Sequence, residues 1–498
     1  MIKSAMLCLS LTLAAPMAAK TFYVDAVVGN DANSGLAASQ SWKTLTPVNA
    51  LTLGPGDAVL FHAGQEWRGA LSLTGKGAAG SPIRIGRYGE GAMPRIDGDG
   101  THDDAVLLRN MEQVEVSDLE ITNAGDGSAM RRGVHVLLWN FGVAHHVVLR
   151  HLFIHDVGGT LEKKESGGIQ IDAFGTETPS RFDDLLVEHN VVLHVDRSGI
   201  NMHCDHFARK IWFPSTKVVI RENYVEDVGG DGIVPLGVDH VLVEGNVVRR
   251  VAQRSKDYNA GVWPWSSDDA LFQWNDVAGT GGTKDGEGYD SDYNSHNTRF
   301  EHNYSHDNRG GFMLICTPGD SSGYDGNTGT RVVANISYGD HTRIFNISGG
   351  KDTVIEKNLF VVPKDAMPKD KMMQTVIFTY WKGWASDVTI RQNRFFVEGL
   401  AESGIADKGN EDGTFVLGGK WGAPTNVVFD GNVYLKSGPV QPMESTAKVV
   451  DAEGLTGVDW SGPQFDAVKD GRDMVAVDRF FAAHDVWIHG LFRRAHVD

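Results

Sequence analysis

Within the stretch DGEGYDSDYN, residues 285–294, two aspartates, Asp290 and Asp292, stand on alternate positions behind a pair of glycines. On an extended strand alternate side chains share one face, about 6.6 Å apart. Two carboxyl groups about 6.5–9.5 Å apart suit inverting cleavage of a glycosidic bond, in which one acid protonates the leaving oxygen and the other activates water. Crowding two such groups also raises the pKa of one of them, which an acid working near neutrality requires. The plainer alternative is a pair that holds a structural Ca²⁺ or is solvated beside a glycine-rich turn. Ca²⁺ is therefore the one cofactor the sequence brings into consideration, and no metal-ligating set is assigned.

Further residues gather around this pair once glycine-led strands are aligned along the chain, as in SGGIQID, RSGINMH, GDGIVPL and NAGVWPW. The outward positions read His135/Leu137, Gln170/Asp172, Asn201/His203, Val234/Leu236, Trp263/Trp265, Asp290/Asp292, Met313/Ile315 and Phe345/Ile347. His203 is a candidate base or hydroxyl partner. Trp263 and Trp265 offer indole faces for sugar rings, and Gln170, Asp172 and Asn201 offer hydrogen bonds. Basic residues precede these strands at Arg131, Arg132, Lys163, Lys164, Arg197, Lys256, Lys284, Arg309 and Arg343. Lys256 and Arg309 are singled out as a binding rim for an acidic glycan.

What must position these groups is a repeat. The phrase apolar-x-apolar-x-x-Asn returns with its asparagine at 190, 223, 246, 275, 303, 335, 358, 393 and 432, and in weaker form at Leu119 and Leu152. Its spacing varies between 23 and 39 residues, so insertions fall in loops. Alternating apolar residues give β-strands, and nothing between the phrases has helical spacing. Short strands that cannot bury their own apolar face must stack on the next unit, which predicts an all-β solenoid of about ten or more coils. The asparagines, stacked about 4.8 Å apart, should form an internal amide ladder.

The first 19 residues, with Lys3, an apolar run and Ala18–Ala19, have the pattern of a secretory signal peptide. Residues 20–100 form an expected N-terminal capping segment with a short helix near 44–51, 101–440 the solenoid, and 441–498 a C-terminal cap in which RDMVAVDRFFAAHDVW has helical spacing. Either cap could instead wrap the outside. The net charge of −18 argues against nucleic acid or an anionic membrane as partner. Cys204 and Cys316 fall at corresponding inward positions four coils apart, about 19 Å, and are expected as free thiols.

The span DGEGYDSDYNSHNTRFEHNYSHDNRGGFMLIC, together with GNDANSG near the N-terminus, resembles secreted bacterial right-handed parallel β-helix carbohydrate-active enzymes of the pectinase-like kind. That resemblance implies a right-handed parallel β-helix and a polysaccharide or oligosaccharide substrate. The Asn-x-Asp, Asp-Asp, Gly-His-Gly and Arg-x-Lys series of polygalacturonases is not met, nor is the Arg-His-Gly element of β-helix lyases. Three readings follow: an exported, secreted or periplasmic glycoside hydrolase using Asp290 and Asp292; a lyase that removes the C5 proton of a uronic acid with a Lys, an Arg, His203 or Tyr289; and a non-catalytic glycan-binding protein.

Overall fold

The computed structural model describes residues 18–497 except 283, 318–324, 365, 367–373, 399–404, 407–414, 420, 436–443, 452–454 and 456. The first seventeen residues, and with them most of the expected signal peptide, lie outside the described residues. The chain is mostly β, and the named strands pair in parallel. It visits three sheets in rotation, and each strand pairs with the strand of the same sheet one circuit later. Thr21–Val24 already opens the first sheet by pairing with Ala58–His62, so the stack begins within the segment expected as a cap. The short helix α1, Leu45–Asn49, buries Leu45 and Val48 beside Leu71–Leu73, the first strand of the third sheet.

The apolar-x-apolar phrase supplies the first sheet, its asparagine turns the corner, and the following short strand joins the second sheet. Asn190, Asn223, Asn246, Asn275, Asn303, Asn335, Asn358, Asn393 and Asn432 are fully buried. Each Nδ2 donates to the Oδ1 of the next at 2.9–3.1 Å. It also donates to a first-sheet carbonyl of the preceding circuit, as from Asn303 to Phe272 O at 2.9 Å. A buried amide left unpaired would cost about 1–3 kcal/mol, so the corner keeps the same residue wherever both neighbours offer an amide. The row ends on Glu444, whose carboxylate accepts from Asn432 N at 2.8 Å and Asn432 Nδ2 at 3.2 Å.

The third sheet is led by a file of glycines. A Cβ on Gly199, Gly232 or Gly261 would lie 2.4–2.6 Å from the carbonyl oxygen of the next glycine, so no larger residue fits there. The file stops after Gly288, and Phe312 and Ile344 take its place, buried in the core.

The predicted C-terminal helix exists as α3, Met474–Ala495, preceded by the single turn α2, Ala467–Asp470. It lies along the flank rather than over the open end. Val477, Phe480 and Phe481 pack on Val191, Tyr224 and Val247, while Ile488, Leu491 and Phe492 pack on Ile336, Leu359 and Phe396, all from the second sheet. Arg472, just before α3, reaches Glu120 at 3.0 Å, and Arg394 reaches Ala495 O at 2.7 Å. With 22 residues, about 33 Å of helix, α3 is a strut across many circuits.

Candidate active site

The third sheet is interrupted at its middle. One part runs from Leu71–Leu73 to Ile233–Val234, and the other begins at Glu287–Ser291. Between them the segment 259–269 makes only isolated bridges, among them Ile233 to Val262, Leu236 to Trp265 and Val262 to Tyr289. Pro235 and Pro264 occupy equivalent places in the two circuits that meet there, and proline has no N–H for the ladder. At this interruption a cavity of about 510 Å³ opens on the outer face.

Its floor is a grid of outward side chains. The register carries Trp263 to Asp290 and Leu314, and Trp265 to Asp292 and Cys316, with Asn346 and Ser348 one circuit on. Asp290 and Asp292 thus face outward beside the two tryptophans, as the alternation predicted. The next two pairs are corrected by one position: Met313/Ile315 and Phe345/Ile347 point into the core, and Leu314/Cys316 and Asn346/Ser348 point out. The physical reason is the end of the glycine file, since Phe312 sits where Gly288 did and a glycine-based alignment slips there. Cys204 is in the core as expected, whereas Cys316 lines the cavity; both are free thiols.

One wall is the segment Asp257–Ala260, tied down from behind. The fully buried Arg197 donates to Asp231 Oδ2 at 2.8 Å, to Asp257 Oδ2 at 3.1 Å and to Asn259 Oδ1. Lys164 bridges Asp231 Oδ2 at 2.7 Å and Tyr258 O at 3.2 Å and lies over the Trp263 ring, whose Nε1 donates to Asp231 Oδ1 at 3.1 Å. The other wall is Tyr293 and Trp381. Trp265 packs on Tyr293 at 5.6 Å and Tyr293 on Trp381 at 6.4 Å. Beside them Tyr380, Trp381 and Trp421 are exposed, so aromatic surface continues out of the cavity.

The electrostatics are set by burial and mutual repulsion. Asp290 is 6 % exposed, and among the described residues its Oδ1 has no hydrogen-bond partner. Burial and then the neighbouring Asp292 hold its carboxyl well above the usual carboxylate range, which favours its neutral form. Asp292 is pushed up to about 6 by burial, against hydrogen bonds from the Cys316 thiol at 2.9 Å and the Tyr293 N–H at 2.7 Å. Asp285, on the turn entering the strand, is pushed up to about 7 by burial and by Glu287 and Asp292. Asp231 goes the other way: burial favours its neutral form, but Lys164 and Arg197 outweigh this and hold it below the usual range. The cavity therefore contains carboxyl groups in both protonation states near neutral pH, the arrangement that acid–base chemistry at a glycosidic bond needs.

The nearest oxygens of Asp290 and Asp292 and the Cys316 sulfur lie within 4.8 Å of one another. That is closer than the expected 6.5–9.5 Å, because two side chains on one strand face can lean together. A thiol among two carboxylates is a poor oxygen cage for Ca²⁺.

Several other expected site residues lie elsewhere. His203 is three circuits from Asp292, with Leu236 and Trp265 between, and its Nδ1 is 3.7 Å from Glu165. Gln170, Asp172 and Asn201 are buried and bonded to one another: Asn201 Nδ2 donates to Gln170 Oε1 at 2.9 Å, Gln170 Nε2 to Asp172 Oδ1 at 2.5 Å, and His135 Nε2 pairs with Asp172 Oδ2 at 2.8 Å. Lys256 and Arg309 are exposed and do not line the cavity. Most of the anticipated basic rim is paired internally, Arg132 with Asp104, Arg197 with Asp231 and Arg343 with Glu287. Tyr289 points inward, its hydroxyl on Asn275 O at 3.0 Å, and cannot serve a surface substrate. Asp285, Tyr293 and Trp381 were missed, and Lys164, expected only as one of the basic turn residues, lines the cavity. Asp285 lies in the same DGEGYDSD stretch, seven positions before Asp292, and the aligned prolines were the readable sign of a broken sheet.

No protein-family model matches the chain. It is 28% identical to a lacto-N-biosidase of Bifidobacterium longum subsp. longum over an alignment covering 87% of this chain and 34% of that protein, so it spans about a third of that relative's length. A 64-residue stretch is 38% identical to α-1,3-galactosidase A of Akkermansia muciniphila, 13% of this chain and 11% of that one. Among solved structures, the GH136 lacto-N-biosidase of Eubacterium ramulus superposes with a TM-score of 0.64 at 24% identity, covering 76% of this chain and 68% of that one. A PL6 alginate lyase superposes with a TM-score of 0.51 at 13% identity, over 86% and 53% of the two chains, a likeness of fold alone.

Proposed function

We propose that the protein is a glycoside hydrolase acting on an oligosaccharide, with Asp292 as the ionised carboxylate and Asp285 as the proton donor. The observation that carries this reading is the cavity itself, where three aspartates in unequal protonation states face two tryptophans. Above about pH 6 Asp292 is charged and attacks the sugar carbon or activates water there. Below about pH 7 Asp285 holds a proton for the leaving oxygen. Asp290, buried and neutral, offers an O–H to substrate rather than a second charge. The lacto-N-biosidase relatives support hydrolysis over elimination, as do the cavity's four carboxyl groups, Asp257, Asp285, Asp290 and Asp292, against the single cation Lys164 among the described residues that line it. With that one cation in the lining, itself paired with Asp231, little is left to hold a carboxylate, so we read the substrate as a neutral glycan and not the acidic one expected from the basic turns.

The aromatic path Trp263, Trp265, Tyr293, Trp381, Tyr380, Trp421 spans about five circuits, roughly 24 Å along the stack. We read it as a track for a chain longer than the cavity. The export, the right-handed sense of the coil and the pectinase-like ancestry inferred from the sequence belong to this same reading. Incubation with neutral milk-type and plant-type oligosaccharides, and with alginate and pectate as acidic controls, tests it. New reducing ends from a neutral substrate without ultraviolet absorption are expected. An unsaturated, absorbing product would establish a lyase, and saturable binding without turnover would establish a binding protein.

A further inference from the structure

Far from the cavity, on the flank where α3 crosses the second sheet, two histidines from adjacent circuits meet one aspartate of the helix. His151 Nε2 lies 3.1 Å and His189 Nδ1 lies 3.3 Å from the same Asp478 Oδ1. The three ligand atoms fall within 4.8 Å of one another. The two rings are parallel within 11° at 5.4 Å, and His189 stacks in turn on Phe481, one helical turn from Asp478. Both histidines occupy left-handed turn positions, φ 52°, so backbone geometry repeats from one circuit to the next and sets the rings side by side.

The hydrogen-bond inventory of His189 is the telling point. Its Nε2 is 2.6 Å from Glu222 Oε2, which requires an N–H on that nitrogen. Nδ1 is then the ring atom left to ligate, 3.3 Å from Asp478 Oδ1. A cation seated between them takes the place of a proton on Nδ1. Tetrahedral Zn²⁺, with bonds of about 2.0–2.1 Å, sets neighbouring ligand atoms roughly 3.3 Å apart, the spacing seen here. A metal-bound histidine whose other nitrogen donates to a carboxylate is also the usual outer support of such sites. The side chains of His151, His189 and Asp478 are 24%, 25% and 50% exposed, which leaves room for water as a fourth ligand.

We propose that His151, His189 and Asp478 bind a divalent transition metal of the zinc class, with Glu222 orienting His189, and that the ion pins α3 to the solenoid across 327 positions of sequence. This site is independent of the hydrolase reading. The experiment uses the untagged full chain, stripped with EDTA and dialysed. Titration with ZnCl₂ is expected to show one saturable equivalent by calorimetry and a rise of several degrees in the unfolding midpoint. CoCl₂ is expected to give the visible bands of tetrahedral cobalt. Asp478→Asn and the double variant His151→Ala/His189→Ala should abolish both signals with unchanged circular dichroism, while His240→Ala, in the exposed Asp239/His240/Asp269 cluster, should keep them. Absence of saturable binding, or binding that survives in Asp478→Asn and the double variant, overturns the proposal. Should the double variant not fold, Asp478→Asn alone decides, since Asn keeps the shape and removes the charge.

Discussion

The asparagine corner and the interrupted third sheet are built from the same repeat and treat polar groups in opposite ways. At the corner nine successive circuits each contribute one amide, and each amide finds partners above and below. At the interruption two prolines break the ladder, and carboxyl groups are buried without matching partners, down to an orphaned oxygen on Asp290 and an orphaned Nε1 on Trp265 among the described residues. The contrast teaches that in a solenoid the repeated polar residue stabilises the stack. Groups that a ligand must satisfy collect where repetition fails.

The sharpest way to break this comparison is to neutralise one residue of each kind. Asp292→Asn should lower kcat/KM by about 10³-fold or more, measured on any substrate the wild type hydrolyses, while the unfolding midpoint stays level or rises. Asn303→Ala should do the reverse. It strands Asn275 N, removes one of the two partners of Asn275 Nδ2 and of Asn335 Oδ1, and takes a donor from Phe272 O, and should cost about 3–5 kcal/mol in chemical denaturation, with catalysis intact in the folded fraction. Equal stability losses from both variants would erase the distinction.

A pH series sharpens it further. Asp285 has a folded pKa of about 7, above its unfolded value of about 3.9. Between those values the folded state holds a proton that the unfolded state has released, so this group makes stability fall as pH rises through the window. Asp285→Asn should therefore be more stable than wild type at pH 8, by at most about 4 kcal/mol, with the difference vanishing below about pH 4. A gap that persists in acid would mean the side chain acts by packing. The smallest effect is expected on the aromatic track: Trp421→Ala should raise KM for long oligosaccharides by about 3–10-fold and leave the shortest cleaved substrate unchanged. A uniform rise across all lengths would remove the track.

The parts legible in the sequence were those fixed by nearest neighbours in the stack. The phrase ending in asparagine recurs because its two contacts recur, so the first sheet, the corner and the outward placing of Asp290, Asp292, Trp263 and Trp265 could all be read. The third-sheet alignment failed at Phe312, where the glycine file ends and its local marker with it. Asp285 escaped because it enters from a turn and not from a strand. Lys164, Tyr293 and Trp381 are brought in by loops from different circuits, and no period in the chain encodes that meeting. His203, Gln170 and Asn201 had suitable chemistry and a suitable face, but they stand on the far side of the break, where Gln170 and Asn201 are already bonded to each other and His203 is three circuits from Asp292.

The carboxylate of Glu444 at the end of the asparagine row has a bearing on how the molecule behaves among its own copies. An amide both gives and receives, so a bare terminal Asn432 would present a template onto which another chain's corner could add, circuit upon circuit, as a fibre grows. A carboxylate only receives. By occupying the last donors with a group that has none to pass on, the chain makes its internal ladder finite, and a Glu444→Gln substitution would reopen it to end-to-end assembly.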